Sequence, residues 1–238
     1  EKLTNQEDAR VCEDISEQAC RETPRSFVLI LLSSFLTKVG DAVARPKTTL
    51  AWVTTAVGAP EYVLGLLVPL QESGSPIPQL FIGGMIRRLA VRKWIWMLGS
   101  VLQSVAILGI GAVVLLMEGR TAGYAILGLV IAFSLARGFC SVAYKDVLGK
   151  TVPKKKRGQL TGWSASAAGI VTVAVGIMLI LPKEAGNGAA VYGFLLIAAA
   201  GLCLIAAAVY ARIPEYPGAT GGARSAMEAL SRLRILVN

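Results

Sequence analysis

The chain has 238 residues, of which 54% are hydrophobic and 16% charged, with a formal net charge of +9. A water-soluble domain needs a more polar surface than a mean hydropathy of +0.60 allows, so the composition points to a chain embedded in lipid. The absence of histidine removes imidazole triads, metal ligands and proton relays together, and four cysteines without metal-site spacing make neither a disulfide framework nor a metal site.

Residues 1–25 are polar and acidic, which fits a cytoplasmic tail and not a cleaved signal peptide. Thr4 and Glu7 have capping-box spacing, and Val11, Cys12, Ile15 and Ala19 form an apolar stripe, so a short helix is predicted. Cys12 and Cys20 are expected to stay reduced there. Six long apolar stretches follow: Ser26–Arg45, Gly58–Ile86, Trp94–Met117, Tyr124–Tyr144, Gln159–Leu181 and Ala190–Ile213. Each reaches the about 20 residues that cross a bilayer core as a helix. The predicted fold class is all-α: a polytopic membrane bundle of six helices over residues 26–213.

In the first stretch, Ser34, Thr37, Lys38, Asp41 and Arg45 recur at spacings of three and four and share one helical face. Two readings are open: the face lines an internal cavity, or Lys38, Asp41 and Arg45 neutralise one another near the outer interface. The second stretch carries Pro69, Pro76 and Pro78 among Gln71, Glu72 and Gln79, the pattern of an interrupted helix with polar groups at mid-membrane depth. Glu72 is expected to contact the solute or carry a proton; the alternative makes it an acceptor for freed backbone amides or an arginine. Trp94 and Trp96 in the third stretch, like Trp163 in the fifth, read as interfacial anchors.

Arg137 in the fourth stretch has a side chain long enough to reach the bundle centre. It has three open roles: pairing with Glu72 or Asp41, holding an anionic substrate, or snorkelling to the cytoplasmic face. Gly149-Lys150-Thr151 resembles the end of a phosphate-binding loop, but Tyr144 stands where its first glycine belongs. Gly162, Gly169 and Gly176 in the fifth stretch form a small-residue stripe suited to close helix packing.

Basic residues gather in every second loop: Arg87, Arg88, Arg92 and Lys93; then Lys145, Lys150, Lys154, Lys155, Lys156 and Arg157; then Arg212, Arg224, Arg232 and Arg234. That distribution places these loops and both termini in the cytoplasm, with lipid headgroups and not nucleic acid as the partner of the charge. Residues 214–238 follow Pro214 with an apolar stripe through Ala223, Met227, Leu230 and Val237, predicting an amphipathic linker helix along the inner surface. The chain has no Asn-x-Ser/Thr acceptor, which is compatible with a bacterial inner membrane.

Over about Ser26–Pro217 the topology and loops resemble the N-terminal half of a major facilitator superfamily transporter. The family's loop after helix two reads G-x-x-x-D-R-x-G-R-K; here the run from Gly83 through Arg87 and Arg88 to Arg92 and Lys93 keeps the leading glycine, the arginine and the closing basic pair. Arg87 replaces the acid, the second glycine is missing, and the loop is one residue longer. Arg137-Gly138 is similar to the family's conserved arginine region, and Asp146, Pro153 and Arg157-Gly158 to its following loop. The Gly-Pro antiporter pattern is absent from Gly162–Gly176.

The resemblance implies a six-helix bundle of 3+3 inverted repeats that moves a small solute by alternating access, with proton coupling. Substrate or coupling residues are then expected at Asp41, Glu72, Gln79 and Arg137. A gating loop is expected at Gly83, Arg87, Arg88, Arg92, Lys93, Asp146 and Arg157. The implied partner is a second six-helix half in the same polypeptide or a homodimer mate, with no cofactor, no metal and no enzymatic chemistry. Two alternatives stand beside it: a non-transporting scaffold or receptor, and a six-helix carrier acting as a homodimer.

Overall fold

The computed structural model describes residues 17–74, 79, 89–180 and 188–217, and every regular element among them is helical. The elements are α1 (Glu17–Arg21), α2 (Thr23–Val43), a π-helical turn (Pro46–Leu50), α3 (Ala51–Ala56), α4 (Glu61–Gly74), α5 (Lys93–Leu116), α6 (Gly119–Thr151), α7 (Lys154–Ile180) and α8 (Gly188–Ala211). Five helical runs among the described residues are long and apolar enough to cross a membrane, the first of them Thr23–Ala56. The expected second span is described only through α4 and the helical Gln79. Pro76, Pro78, Gly83, Arg87 and Arg88 lie outside the described residues, as do the Thr4–Glu7 capping box, most of the tail helix and the amphipathic segment after Pro217.

Two boundaries differ from the sequence reading. The first helical run does not stop at Arg45. Pro46 sits in the first turn of the π-helical segment, where its missing N–H removes no bond, and the chain stays helical to Ala56. Gly58 then reverses it with φ of 69°, a conformation open chiefly to glycine. At the other boundary, α6 continues past Tyr144 to Thr151, so Lys145, Asp146 and Lys150 are helical residues and not loop residues. The stop is imposed by Pro153, which drives Val152 into extended conformation. Pro69 lies inside α4 without ending it.

The bundle packs α2 against α7 and α8, α6 against α4 and α5, and α5 against α8. Exchanging α2 with α6, α4 with α7 and α5 with α8 maps that pattern onto itself. Outward faces are apolar: Leu98, Leu102 and Val105 on α5 and Ile170, Val173 and Ile177 on α7 are all exposed. The buried apolar residues form two clusters. One gathers Ile30, Trp96, Val147, Leu160 and Tyr210 at the end where α5 begins; the other gathers Leu50, Val63, Ile110, Ile126 and Leu196 at the opposite end.

Close helix approach comes from glycines outside the predicted stripe. A Cβ at Gly40 would stand 2.6 Å from Cys203 Sγ, one at Gly99 2.7 Å from Cys140 Sγ, and one at Gly111 3.1 Å from the Gly193 carbonyl. Gly162, Gly169 and Gly176 meet nothing within 4 Å, so their stripe packs no neighbour among the described residues. Ser100 and Ser104 of α5 donate to the Cys203 and Ala200 carbonyls of α8 at 3.1 and 2.7 Å, tying those two helices by hydrogen bonds in a setting where hydrophobicity alone gives little association.

Two more expectations are corrected. Trp96 is not an interfacial anchor: it is 3% exposed and stacks on Tyr210 with ring centroids 3.8 Å apart, whereas Trp94 and Trp163 are exposed as expected. Trp96 follows Trp94 by two positions, which on a helix turns it to the opposite side. Cys20 is disulfide-bonded, not a free thiol, while Cys140 and Cys203 are free and buried.

Candidate functional site

A polar layer lies between the two apolar clusters. Asp41 comes from α2, just past Gly40, where that helix lies close against α8; Arg137 comes from α6, one turn before Cys140 meets α5. The two side chains form an ion pair, Arg137 Nη2 to Asp41 Oδ2 at 3.3 Å. Asp41 is mostly covered, and its Oδ1 has no hydrogen-bond partner; Arg137 keeps 44% of its side chain exposed. This outcome selects Asp41 over Glu72 as the ion-pair partner of Arg137, while Arg45 shares a cavity with Asp41 and its charge also bears on that carboxylate, as the neutralisation reading had it.

Two cavities meet at that pair, because Asp41 and Arg137 line both. The first, about 380 Å³, is completed by Arg45, Pro46, Lys47, Val68, Gln71 and Glu72. The second, about 290 Å³, is bounded by Ser34, Thr37 and Lys38 of α2, Trp96 and Gln103 of α5, and Cys140, Ser141, Tyr144 and Lys145 of α6. The polar face of α2 thus lines cavities along its length. Lys38 donates to Ser164 Oγ at 2.7 Å, joining α2 to α7.

Glu72 is placed differently from the expectation of a buried carboxylate. Its side chain is 62% exposed and pairs with Lys47 at 2.6 Å in the first cavity. The helical continuation through Pro46 carries Lys47 to that spot, a step that the expected loop after Arg45 hid. Gln79 is half-buried and lines neither cavity. Three of the four expected site residues therefore share one cavity. Sequence reasoning missed Gln103, the one long polar side chain in the apolar run of α5, which is 1% exposed and accepts from Cys140 Sγ at 3.2 Å.

At the end where α5 begins, a second charged cluster joins three segments. Arg92 and Lys150 both bind Asp146, Lys150 at 2.8 Å. Glu215, with a fully buried side chain, accepts from Lys150 Nζ at 3.3 Å and from the backbone N–H groups of Arg92 at 2.9 Å and Lys93 at 2.6 Å. A carboxylate from the far end of the chain thereby caps the N-terminus of α5, where the helix dipole favours negative charge. Lys93 Nζ answers by donating to the Ile213 carbonyl at 2.9 Å, and Arg157 donates to the Gly149 and Val152 carbonyls at the end of α6.

Of the expected gating residues, Arg92, Lys93, Asp146 and Arg157 lie here, while Gly83, Arg87 and Arg88 lie outside the described residues. Glu215 was missed. Its signal was a lone acid between Pro214 and Pro217, at an end otherwise crowded with bases. No protein-family model matches the chain, and no curated protein or solved structure matches it either.

Proposed function

We propose that the chain is one six-helix bundle of a secondary active transporter, moving a small solute across a membrane by alternating access with proton coupling. The observation that carries this reading is the Asp41–Arg137 pair in the wall shared by two cavities, between two apolar clusters. Ionisable groups are costly in lipid and are retained where they serve a pathway. The packing pattern that survives exchange of α2, α4 and α5 with α6, α7 and α8 supports a repeat architecture, and with it the resemblance to the major facilitator superfamily. The Lys and Arg distribution supports an orientation with the Arg92–Glu215 cluster on the cytoplasmic side, and the sequence is compatible with a bacterial inner membrane. A second six-helix bundle or a second copy would complete the pathway.

Asp41 takes the coupling role in this mechanism, and Glu72 becomes a cavity-mouth residue held by Lys47. A proton on Asp41 cancels the charge that holds Arg137 and frees the guanidinium; its loss restores the pair. The charged cluster at the start of α5 holds α5, α6 and the segment after α8 together and closes that side until the bundle rocks.

The test is uptake by the full-length protein in proteoliposomes under an imposed pH gradient. Asp41→Asn should remove the response to the gradient while leaving solute exchange at equal pH within about three-fold, because exchange needs no net proton movement. An Asp41→Asn protein that still concentrates solute in response to the gradient would sink the coupling assignment.

A further inference from the structure

We propose that the solute is a small organic anion whose acidic group binds between Lys38 and Arg137 in the second cavity. This rests on the transporter reading and names the substrate class for its site. The cavity is bounded by three cations, Lys38, Arg137 and Lys145, against one carboxylate, Asp41. The first cavity repeats the excess, with Arg45, Lys47 and Arg137 facing Asp41 and Glu72.

Lys38 is the most telling of these groups. Its ammonium has three donors, and it donates to a neutral hydroxyl, Ser164 Oγ at 2.7 Å. No carboxylate lies within ion-pair distance of Lys38 among the described residues. A half-buried cation on a membrane helix is costly without a counter-charge, so its presence marks a place where a counter-charge arrives. Arg137 offers the second arm. Asp41 engages one terminal nitrogen, leaving most of a planar five-donor fork for an incoming carboxylate or phosphate.

Size and lining narrow the class. A volume of about 290 Å³ lies at the small end of ligand cavities. Trp96 and Tyr144 supply aromatic surface and Gln103 and Ser141 neutral polar groups, so the solute carries a short body beyond its acidic head. Charge balance links this to coupling. Empty, the wall holds Asp41 as an anion against Arg137; loaded, it holds neutral Asp41, Arg137 and the solute anion. One proton taken by Asp41 per acidic group seated on Arg137 leaves the charge of the wall unchanged.

Counterflow in proteoliposomes of the full-length protein separates the outcomes, with labelled lactate, succinate, glycerol phosphate, glucose and choline as probes. The expected result is exchange of at least one of the three acids and of none of the others. Lys38→Gln should lower that exchange at least about ten-fold, and Lys38→Arg should hold it within about three-fold. Lys145→Gln, at an exposed position, should lower it as well, which guards against a Lys38 variant that fails to fold. Exchange of glucose or choline alone would overturn the anion assignment and leave the transporter reading standing. Equal acid exchange by Lys38→Gln and wild type would also overturn it. No exchange of any probe would count against both.

Discussion

The two charged regions of this bundle are built on opposite terms. At the start of α5, two acids, Asp146 and Glu215, meet two bases, Arg92 and Lys150, in three ion pairs, with the Lys93 amide donating to Glu215 and the Lys93 ammonium to the Ile213 carbonyl. At the centre, Asp41 makes one ion pair, with Arg137 at 3.3 Å, one of its oxygens has no hydrogen-bond partner, and the guanidinium is half in the open. Over-supplied partners make a fixed joint; under-supplied partners make a pair that can exchange. Stability should therefore reside in the first region and solute chemistry in the second.

The largest expected effect is on the first. Glu215→Ala leaves Lys150 and two amides at the α5 terminus without their acceptor in a buried place, and should cost about 3 kcal/mol. Thermal unfolding in detergent reads it directly. A melting temperature within a degree of wild type would show that the cluster is not the joint proposed. Glu215→Gln should recover part of the loss, because its amide oxygen still accepts from the Lys93 N–H.

Next in size comes a pair of glycines. Gly99→Ala places a methyl 2.7 Å from Cys140 Sγ and 3.0 Å from the Ala136 carbonyl, backbone that cannot move aside, and should cost about 1–3 kcal/mol. Gly169→Ala, with nothing within 4 Å, should be neutral or slightly stabilising through helix propensity. A protein in which Gly169→Ala is the more damaging change would mean that another bundle or copy seats on α7, and that the joint between α5 and α6 tolerates strain.

Why some of this was legible is physical. Helical periodicity and apolar length are local properties, so the membrane helices and the polar face Ser34–Thr37–Lys38–Asp41 could be read from spacing alone. Arg137 was recognised because a cation in an apolar run is conspicuous, but its partner depends on which helices adjoin, a long-range fact. The Pro46 restart was hidden because proline breaks a helix interior and begins a helix turn with equal ease. Glu215 was hidden because its worth comes from amides more than a hundred positions away. Trp96 was misplaced by treating neighbouring tryptophans alike, although a helix turns them to different sides.

The smallest effect falls on the residue that sequence alone put first. Glu72 pairs with Lys47 through side chains that are 62% and 60% exposed, and an ion pair so open contributes between zero and about 1 kcal/mol. Glu72→Gln should leave the melting temperature nearly unchanged and leave the response to a pH gradient intact, since Asp41 still meets Arg137. Its expected signature is kinetic and electrostatic. Removing an acid from the mouth of a cation-rich cavity frees Lys47, so entry of an anionic solute should quicken by about two- to three-fold at low salt, and the gain should fade as salt is raised. Measuring initial uptake by Glu72→Gln at two ionic strengths decides between the two carboxylates: a salt-sensitive gain assigns Glu72 to the entrance, whereas loss of gradient-driven uptake returns the coupling role to it and leaves the Asp41–Arg137 pair as part of the frame.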